Sequence, residues 1–334
     1  MTEYCPRPIL IREPLLRAII NTAYGPPDVL QLREVPTPVP KPDEVLIRVR
    51  ATTVNRTDCG FLRAKPFITR FFTGLRRPKY RSLGNEFAGE IAAVGCAVTA
   101  FTVGERVIGF SDSTFGAHAE FMLLNERDAI GPMPANLTFE QAAPITEGAH
   151  YALCDLRAAK IRAGQQWLIN GATGAIGSAA VQLCKHFGVQ VTAVCGPTHA
   201  DLVRSLGADE VFDYTAQDFT RRGKDYDVVF DAVGKSSFGK CKPILKKKGI
   251  YISTELGPRS ENPLLALVTP LLGGKKVLFP IPTIAKDDVK FLAELAGSGK
   301  FRPVIDRTYP LEQIADAYRY VETGQKIGNV VITL

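Results

Sequence analysis

Trp167-Leu168-Ile169-Asn170-Gly171-Ala172-Thr173-Gly174-Ala175-Ile176-Gly177 reads as an apolar strand that runs into a glycine-rich turn and then into a helix continuing to Phe187. Strand, turn and helix in that order are what a chain uses to hold a dinucleotide. Gly174 lets backbone approach a pyrophosphate with no Cβ in the way, and Gly177 lets the helix lie close on the sheet. The helix start offers unpaired N–H groups and a positive dipole end. Ala172 stands in place of the first glycine of the pattern, with Thr173, Ala175 and Ile176 completing the turn. The flanks agree: Ala179, Ala180, Val181, Leu183 and Cys184 give the helix an apolar face, and a second strand runs from Gln190 to Cys195. The competing reading is an ordinary glycine turn in a parallel sheet.

Outward from this turn the same alternation continues, with strands near Glu210, Val228, Ile250 and Lys276. It predicts a doubly wound parallel sheet over 144–283. Residues 17–143 are strand-rich and punctuated by turns, with Val45, Ile47 and Val49 alternating against polar neighbours and prolines crowded between Pro36 and Pro42. Residues 284–334 carry two helices and a last strand from Asn329, and are expected to rejoin that first domain. Residues 1–16, with Pro6, Pro8 and Pro14, read as an extension without a secretion signal.

At 334 residues, the chain is about twice the common domain size. No apolar run reaches the ~18 residues of a membrane span; the longest candidate, Pro263 to Leu272, contains Pro270. The seven cysteines are an odd number without a CxxC pair, which fits reduced thiols and a cytoplasmic setting. The formal charge of +7 suits an anionic cofactor or plain solubility, since no basic segment matches a nucleic-acid motif. Nucleic acid is therefore not an expected partner.

Several further runs occur in order: Val54-Asn55-Arg56-Thr57-Asp58, Leu83-Gly84-Asn85-Glu86-Phe87-Ala88-Gly89, Val103-Gly104-Glu105-Arg106-Val107, Thr146-Glu147-Gly148-Ala149, Leu206-Gly207-Ala208-Asp209 and Gly328-Asn329-Val330-Val331. With the glycine turn, they make residues 17–334 resemble the medium-chain dehydrogenase/reductase superfamily, in its zinc-independent quinone oxidoreductase and enone reductase branch. The resemblance implies a GroES-like substrate domain with a Rossmann domain, an active site where they meet, and a homodimer built through sheet edges near Ile250 to Thr254 and Lys276 to Phe279.

Zinc-dependent members carry a cysteine before the Arg-Thr-Asp run and a histidine in a Gly-His-Glu run, where this chain has Asn55 and Asn85. Catalytic zinc takes imidazole, thiolate or carboxylate rather than a neutral amide. His118, His150, His186 and His199 show no ligand spacing and read as surface or packing residues. Without a Lewis acid to lower an alcohol's pKa, reduction of an already activated acceptor is the better fit.

No carboxylate stands at the end of the second strand, Val194-Cys195-Gly196-Pro197-Thr198-His199, to bind adenine-ribose hydroxyls and repel a 2′-phosphate. That favours NADPH, with NADH as the alternative. Thr198 can donate to phosphate and His199 can add charge when protonated. The resemblance assigns the phosphate to the positions of His199 and Tyr214. Val233, Gly234, Thr254 and Asn329 are expected to line the cofactor, along with Cys195.

Hydride transfer needs donors for the oxyanion that develops on the acceptor. The resemblance puts Asn55 and Asn85 at the vacant metal position, so their amides are the candidate donors, with Ser111 behind them; capping a turn is the alternative role for either asparagine. The resemblance puts Glu147 beside the nicotinamide, with Thr146 adjoining it, where Glu147 orients the carboxamide, relays a proton, or simply pairs with an arginine. Cys59-Gly60-Phe61 lacks the tyrosine that many quinone reductases carry there. The segment from Arg63 to Arg81 reads either as a substrate lid or as a peripheral basic and aromatic surface.

The sequence thus points to an NADPH-dependent, zinc-independent reductase of a quinone or α,β-unsaturated carbonyl. An NAD(P)-linked alcohol or aldehyde dehydrogenase is the second reading, and a nucleotide-fold protein acting on RNA or membranes the third. Elemental analysis of fresh protein is expected to find far less than one zinc per chain; a stoichiometric ion would overturn the metal-free reading.

Overall fold

The alternation after residue 144 forms one six-stranded sheet, all of its pairings parallel, in a computed structural model that describes residues 15–111 and 114–334. Its strands lie in the order Glu210–Asp213, Gln190–Cys195, Gln166–Asn170, Tyr226–Asp231, Leu245–Ser253, Lys276–Leu278. The chain winds outward one way from Gln166–Asn170, then returns to its other side at Tyr226–Asp231. A crevice therefore opens at the carboxyl ends of these two strands. Asn170 is in register with Val194 on one side and Asp231 on the other. The central strands read as unbroken apolar runs because both faces are covered: Trp167, Leu168, Val229 and Phe230 are fully buried.

The chain divides into two units, one running to Thr146 and resuming over Ile284–Gly297 and Ile305–Leu334, the other comprising Glu147–Thr283 and Ser298–Val304. Residues 298–304, which the sequence reading gives to the strand-rich domain, thus fall in the second unit. The cause is Gln182, whose side chain donates to Arg302 O at 3.0 Å and accepts from Arg302 N at 2.8 Å.

In the first unit, Glu44–Val54 is the longest strand, flanked in its sheet by Asn329–Thr333, Glu86–Val94 and Phe121–Asn125. The polar-out alternation expected there is only partial, because both faces are covered. Val45, Ile47 and Val49 pack with Phe87, Ile91 and Leu124, while Leu46 packs with Leu16, Ala18 and Phe121. Leu15 and Leu16, assigned by the sequence to the leading extension, begin the strand Leu15–Asn21, which pairs with Leu30–Pro36. The rest of that extension, 1–14, lies outside the described residues. The strand Ile305–Pro310 was not foreseen.

Two more expectations are corrected. Leu245–Ser253 is paired on both sides, so Ile250 to Thr254 is no sheet edge; Lys276–Leu278 is. Cys59, Cys184, Cys195 and Cys241 are buried reduced thiols and Cys154 is a half-buried one, but Cys96, exposed after the strand Glu86–Val94, is disulfide-bonded. Cys5 lies outside the described residues. Among the described residues no helix is long and apolar enough to cross a membrane.

His118 is a packing residue, fully buried in the first unit. Its Nε2 lies 2.8 Å from Thr53 O, an acceptor only, so Nε2 carries the proton and Nδ1 faces the Tyr318 hydroxyl at 3.4 Å. Burial strips water from the imidazolium and pushes its pKa down to about 4. Below the unfolded value the unfolded chain binds the extra proton, so this stability is complete above pH ~6.5 and lost as pH falls toward 4. Parent and His118→Gln chains are expected to differ by about 3 kcal/mol in the stability change that denaturant titrations read across that window, a comparison in which the opposing contribution of buried Asp155, whose pKa burial raises to about 8, cancels. Equal slopes for the two chains would refute the assignment.

Candidate functional site

Gly171 opens the turn at φ +79°, a conformation suited to glycine, and its N–H and that of Ala172 donate to Val194 O at 3.2 and 3.1 Å. Gly174 caps the twelve-residue helix Ala175–His186 without a side-chain hydrogen bond, so the cap leaves the helix start to incoming groups. Gly177 lies so close to the strand end that a Cβ would stand 2.1 Å from Gly171 O and 3.0 Å from Ala172 Cα. Gly174 is different. At φ −74° its backbone is open to any residue, and a Cβ there would meet nothing nearer than Gly171 O at 3.6 Å. Nothing among the described residues calls for glycine at 174, and the space it leaves is open to a group that comes to rest on the turn. A pyrophosphate fits it, with unpaired N–H groups and the dipole facing the charge.

Gly148 sets the second contact with this helix, since a Cβ there would lie 2.8 Å from the backbone of Ala175. It holds Glu147, buried at the start of the helix Glu147–Ala158, beside the glycine turn, where a carboxylate meets a positive helix end.

At the end of Gln190–Cys195 the chain passes through Gly196 into the 3₁₀ turn Pro197–His199. Thr198 is exposed and His199 half-buried. Tyr214 is 60% exposed and donates its backbone N–H to Cys195 O at 3.3 Å, and a Cβ on Gly196 would lie 3.8 Å from its hydroxyl. Gly196, Cys195 and Tyr214 are thus together, with Thr198 and His199 in the adjoining turn. The Cys195 thiol itself is buried, which raises its pKa, and it faces no solvent. Asp213, absent from the sequence reading, is in register with Cys195, but its carboxylate accepts from Thr215 N and Oγ1 at 2.8 and 2.7 Å.

Asp231, fully buried, organises the neighbouring loop. Its Oδ1 accepts from Asn170 Nδ2 and Gly234 N, both at 3.0 Å, and from Val233 N at 3.3 Å. Oδ2 accepts from Ser236 N at 2.8 Å and the Tyr251 hydroxyl at 3.2 Å. Thr254 N donates to Asp231 O at 3.3 Å, and Val233 lies over Gly171. Val233, Gly234 and Thr254 therefore share the carboxyl edge of the sheet with the glycine turn.

The other expected residues cluster in the first unit around Glu86, a fully buried carboxylate the sequence reading passed over. Thr53 Oγ1 donates to its Oε1 at 2.7 Å and Asn55 Nδ2 lies 3.3 Å from the same oxygen. The Thr146 hydroxyl lies 3.1 Å from Oε2 and from Gly109 O. Asn55 Nδ2 also reaches Thr53 Oγ1 at 3.2 Å and Asn329 Oδ1 at 3.5 Å, and its backbone N–H donates to Asp58. Its donors point inward, against the expectation that they serve an acceptor. Asn329, expected on the cofactor, sits in this cluster. Ser111 Oγ is 2.6 Å from Thr114 Oγ1, which occupies the hydroxyl as a donor or acceptor. Asn85 is the exception: it is 1% exposed, and neither Nδ2 nor Oδ1 has a hydrogen-bond partner among the described residues. The signal for Glu86 was present, since it directly follows Asn85 in the Gly-Asn-Glu run. Among the described residues no group of three or more His, Cys, Asp or Glu could hold a metal ion.

Comparison with known proteins finds the alcohol dehydrogenase GroES-like domain over residues 41–135 and a zinc-binding dehydrogenase family over 206–332. A quinone-oxidoreductase homolog of Spinacia oleracea is 32% identical over 332 residues, covering 95% of this chain and 98% of its own. An NADPH-dependent alkenal/one oxidoreductase of Arabidopsis thaliana is 31% identical, covering 95% of this chain and 79% of its own. The solved quinone oxidoreductase of Coxiella burnetii superposes with a TM-score of 0.86 at 25% identity, over 96% of this chain and 99% of that one.

The two glycines give a paired test. Gly177→Ala is expected to cost about 2 kcal/mol or more through the forced shift of helix against strand, read as a lowered Tm. Gly174→Ala should leave Tm nearly unchanged and raise the NADPH Kd about tenfold or more by isothermal titration. Equal NADPH affinity for Gly174→Ala and the parent chain would sink the pyrophosphate assignment.

Proposed function

Since the chain belongs to the quinone oxidoreductase branch of the medium-chain dehydrogenase/reductase superfamily, and is an oxidoreductase, we propose that it reduces quinones or α,β-unsaturated carbonyls with NADPH and without zinc. The observation that carries this reading is Asn85: where zinc-dependent members hold a metal with histidine, this chain buries an amide with its hydrogen bonds unspent.

A bound reduced nicotinamide supplies a hydride. The chain's own residues bind and steady the partners. The 171–177 turn receives the pyrophosphate, and Thr198, His199 and Tyr214 take the 2′-phosphate, an anion that no carboxylate at the end of Gln190–Cys195 opposes. Asn85 Nδ2 donates to the acceptor oxygen as negative charge gathers on it, in a site where a fixed dipole needs no reorganisation. Asn55, Thr53 and Thr146 act one step back by holding Glu86, which fixes the chain next to Asn85. Glu147 orients the nicotinamide end from its helix start. Water delivers the final proton, since Cys59-Gly60-Phe61 offers no tyrosine hydroxyl.

The same reading includes a homodimer through the edge strand Lys276–Leu278, supported by the exposed Leu264, Leu267, Val268, Leu271 and Leu272 just before it in the chain. A cytoplasmic setting is supported by the five reduced thiols, and the Cys96 disulfide does not follow from it.

NADPH oxidation should proceed with a naphthoquinone or a small enone far faster than with an aldehyde, and with a lower KM for NADPH than for NADH. Asn85→Ala is expected to lower kcat about a hundredfold without lowering Tm, as its amide has no hydrogen bond to lose among the described residues. Turnover of none of the acceptors would defeat the enzymatic assignment; equal coenzyme KM values would defeat the NADPH part alone.

A further inference from the structure

The 3₁₀ turn Phe67–Thr69 and the helix Arg70–Thr73 are built inside out. Phe67, Ile68, Phe71, Phe72 and Leu75 fall at helical spacing, the pattern that normally marks a core-facing stripe. Here they are 65, 60, 66, 74 and 58% exposed. The polar side is the one that packs. Thr73 is buried, its hydroxyl 2.8 Å from the Tyr24 hydroxyl and 3.0 Å from Thr69 O, and Tyr24 also donates to Gly74 O at 2.8 Å. Arg70 lies over the Tyr24 ring at 5.0 Å. Gly74, at φ +115°, then turns the chain so tightly that a Cβ would stand 2.2 Å from Arg77 O, and Lys79 N donates to Thr73 O at 2.6 Å. The apolar stripe is thus held outward by a defined turn.

Its charge is one-sided. Between Asp58 and Glu86 there is no acidic residue, whereas Lys65, Arg76, Arg77, Lys79 and Arg81 are all exposed around the stripe. Aromatic and aliphatic groups bounded by cations match the boundary between acyl chains and anionic headgroups. Ile68 and Leu75 offer no ring on which a base could stack, which sets the segment apart from single-strand RNA platforms.

We propose that residues 65–81 seat this protein on an anionic bilayer surface, the stripe entering the interface and the cations meeting headgroups, independently of the reaction proposed above. The test is co-sedimentation of the full chain with vesicles of phosphatidylcholine alone and of phosphatidylcholine with phosphatidylserine. Binding is expected only with phosphatidylserine and should fall steeply with salt. Arg76→Ala/Arg77→Ala should weaken partitioning about thirtyfold, and Phe71→Ser/Phe72→Ser about tenfold or more. Tm and coenzyme affinity should hold in both, as these side chains are exposed.

Four results would overturn the proposal: no vesicle binding, equal binding to both compositions, binding unaffected by either double variant, or salt-sensitive retention of single-stranded RNA in place of vesicle binding. A rise in acceptor KM for Phe71→Ser/Phe72→Ser with unchanged vesicle binding would make the segment a substrate lid instead.

Discussion

The approach of Gly177 to Gly171 is the constraint from which the second unit is organised. A helix can follow a strand with its first turn over the strand's end only if nothing protrudes where the two backbones cross, and a Cβ at 177 would overlap the Gly171 carbonyl. The close crossing fixes the helix axis, so its N–H groups open onto the carboxyl edge of the sheet. Gly148 repeats the device on the far side of the same helix, against Ala175. Position 174 belongs to neither contact, so packing does not require its glycine, which is what the pyrophosphate site proposed above draws on.

Asp231 solves a related problem on the next strand. A loop that returns at the edge of a buried sheet exposes several backbone N–H groups to a dry environment, each costing about 1–3 kcal/mol if left unmet. One carboxylate takes up Val233, Gly234 and Ser236, and draws in Asn170 and Tyr251 from the strands on either side. Charge-assisted bonds of this kind are stronger than neutral ones. The rim next to the glycine turn is therefore rigid, although it is formed of loops.

What the sequence makes legible follows from locality. The glycine turn, the alternation of strand and helix and the buried central strands are written within short windows, because periodicity and turn chemistry are local. Leu15 and Leu16 were missed since Pro14 and nearby charges hide a strand whose partner lies some fifteen residues on. The edge position of Lys276–Leu278 and the interior position of Leu245–Ser253 depend on the order of pairing, which no window contains. The residue types at the polar cluster were visible, but not their orientation. Asn55 is aimed by Glu86 and Thr53, and only the register of Glu44–Val54 with Glu86–Val94 brings those side chains together.

An unspent buried amide does not by itself mark a functional group. Asn21 is also buried with both side-chain atoms unpartnered, at the end of the strand Leu15–Asn21. What separates Asn85 is the anchoring of its neighbour. Glu86 is held by hydroxyls from two other segments through Thr53 and Thr146, and Thr52 Oγ1 donates to its backbone carbonyl at 2.6 Å. A side chain next to so fixed a point cannot relax toward a partner, so its desolvation penalty persists in the folded state. On the function proposed above, that penalty leaves at Asn85 a donor already stripped of water, the property that makes its hydrogen bond stronger to charge gathering in a transition state than to a neutral ground state.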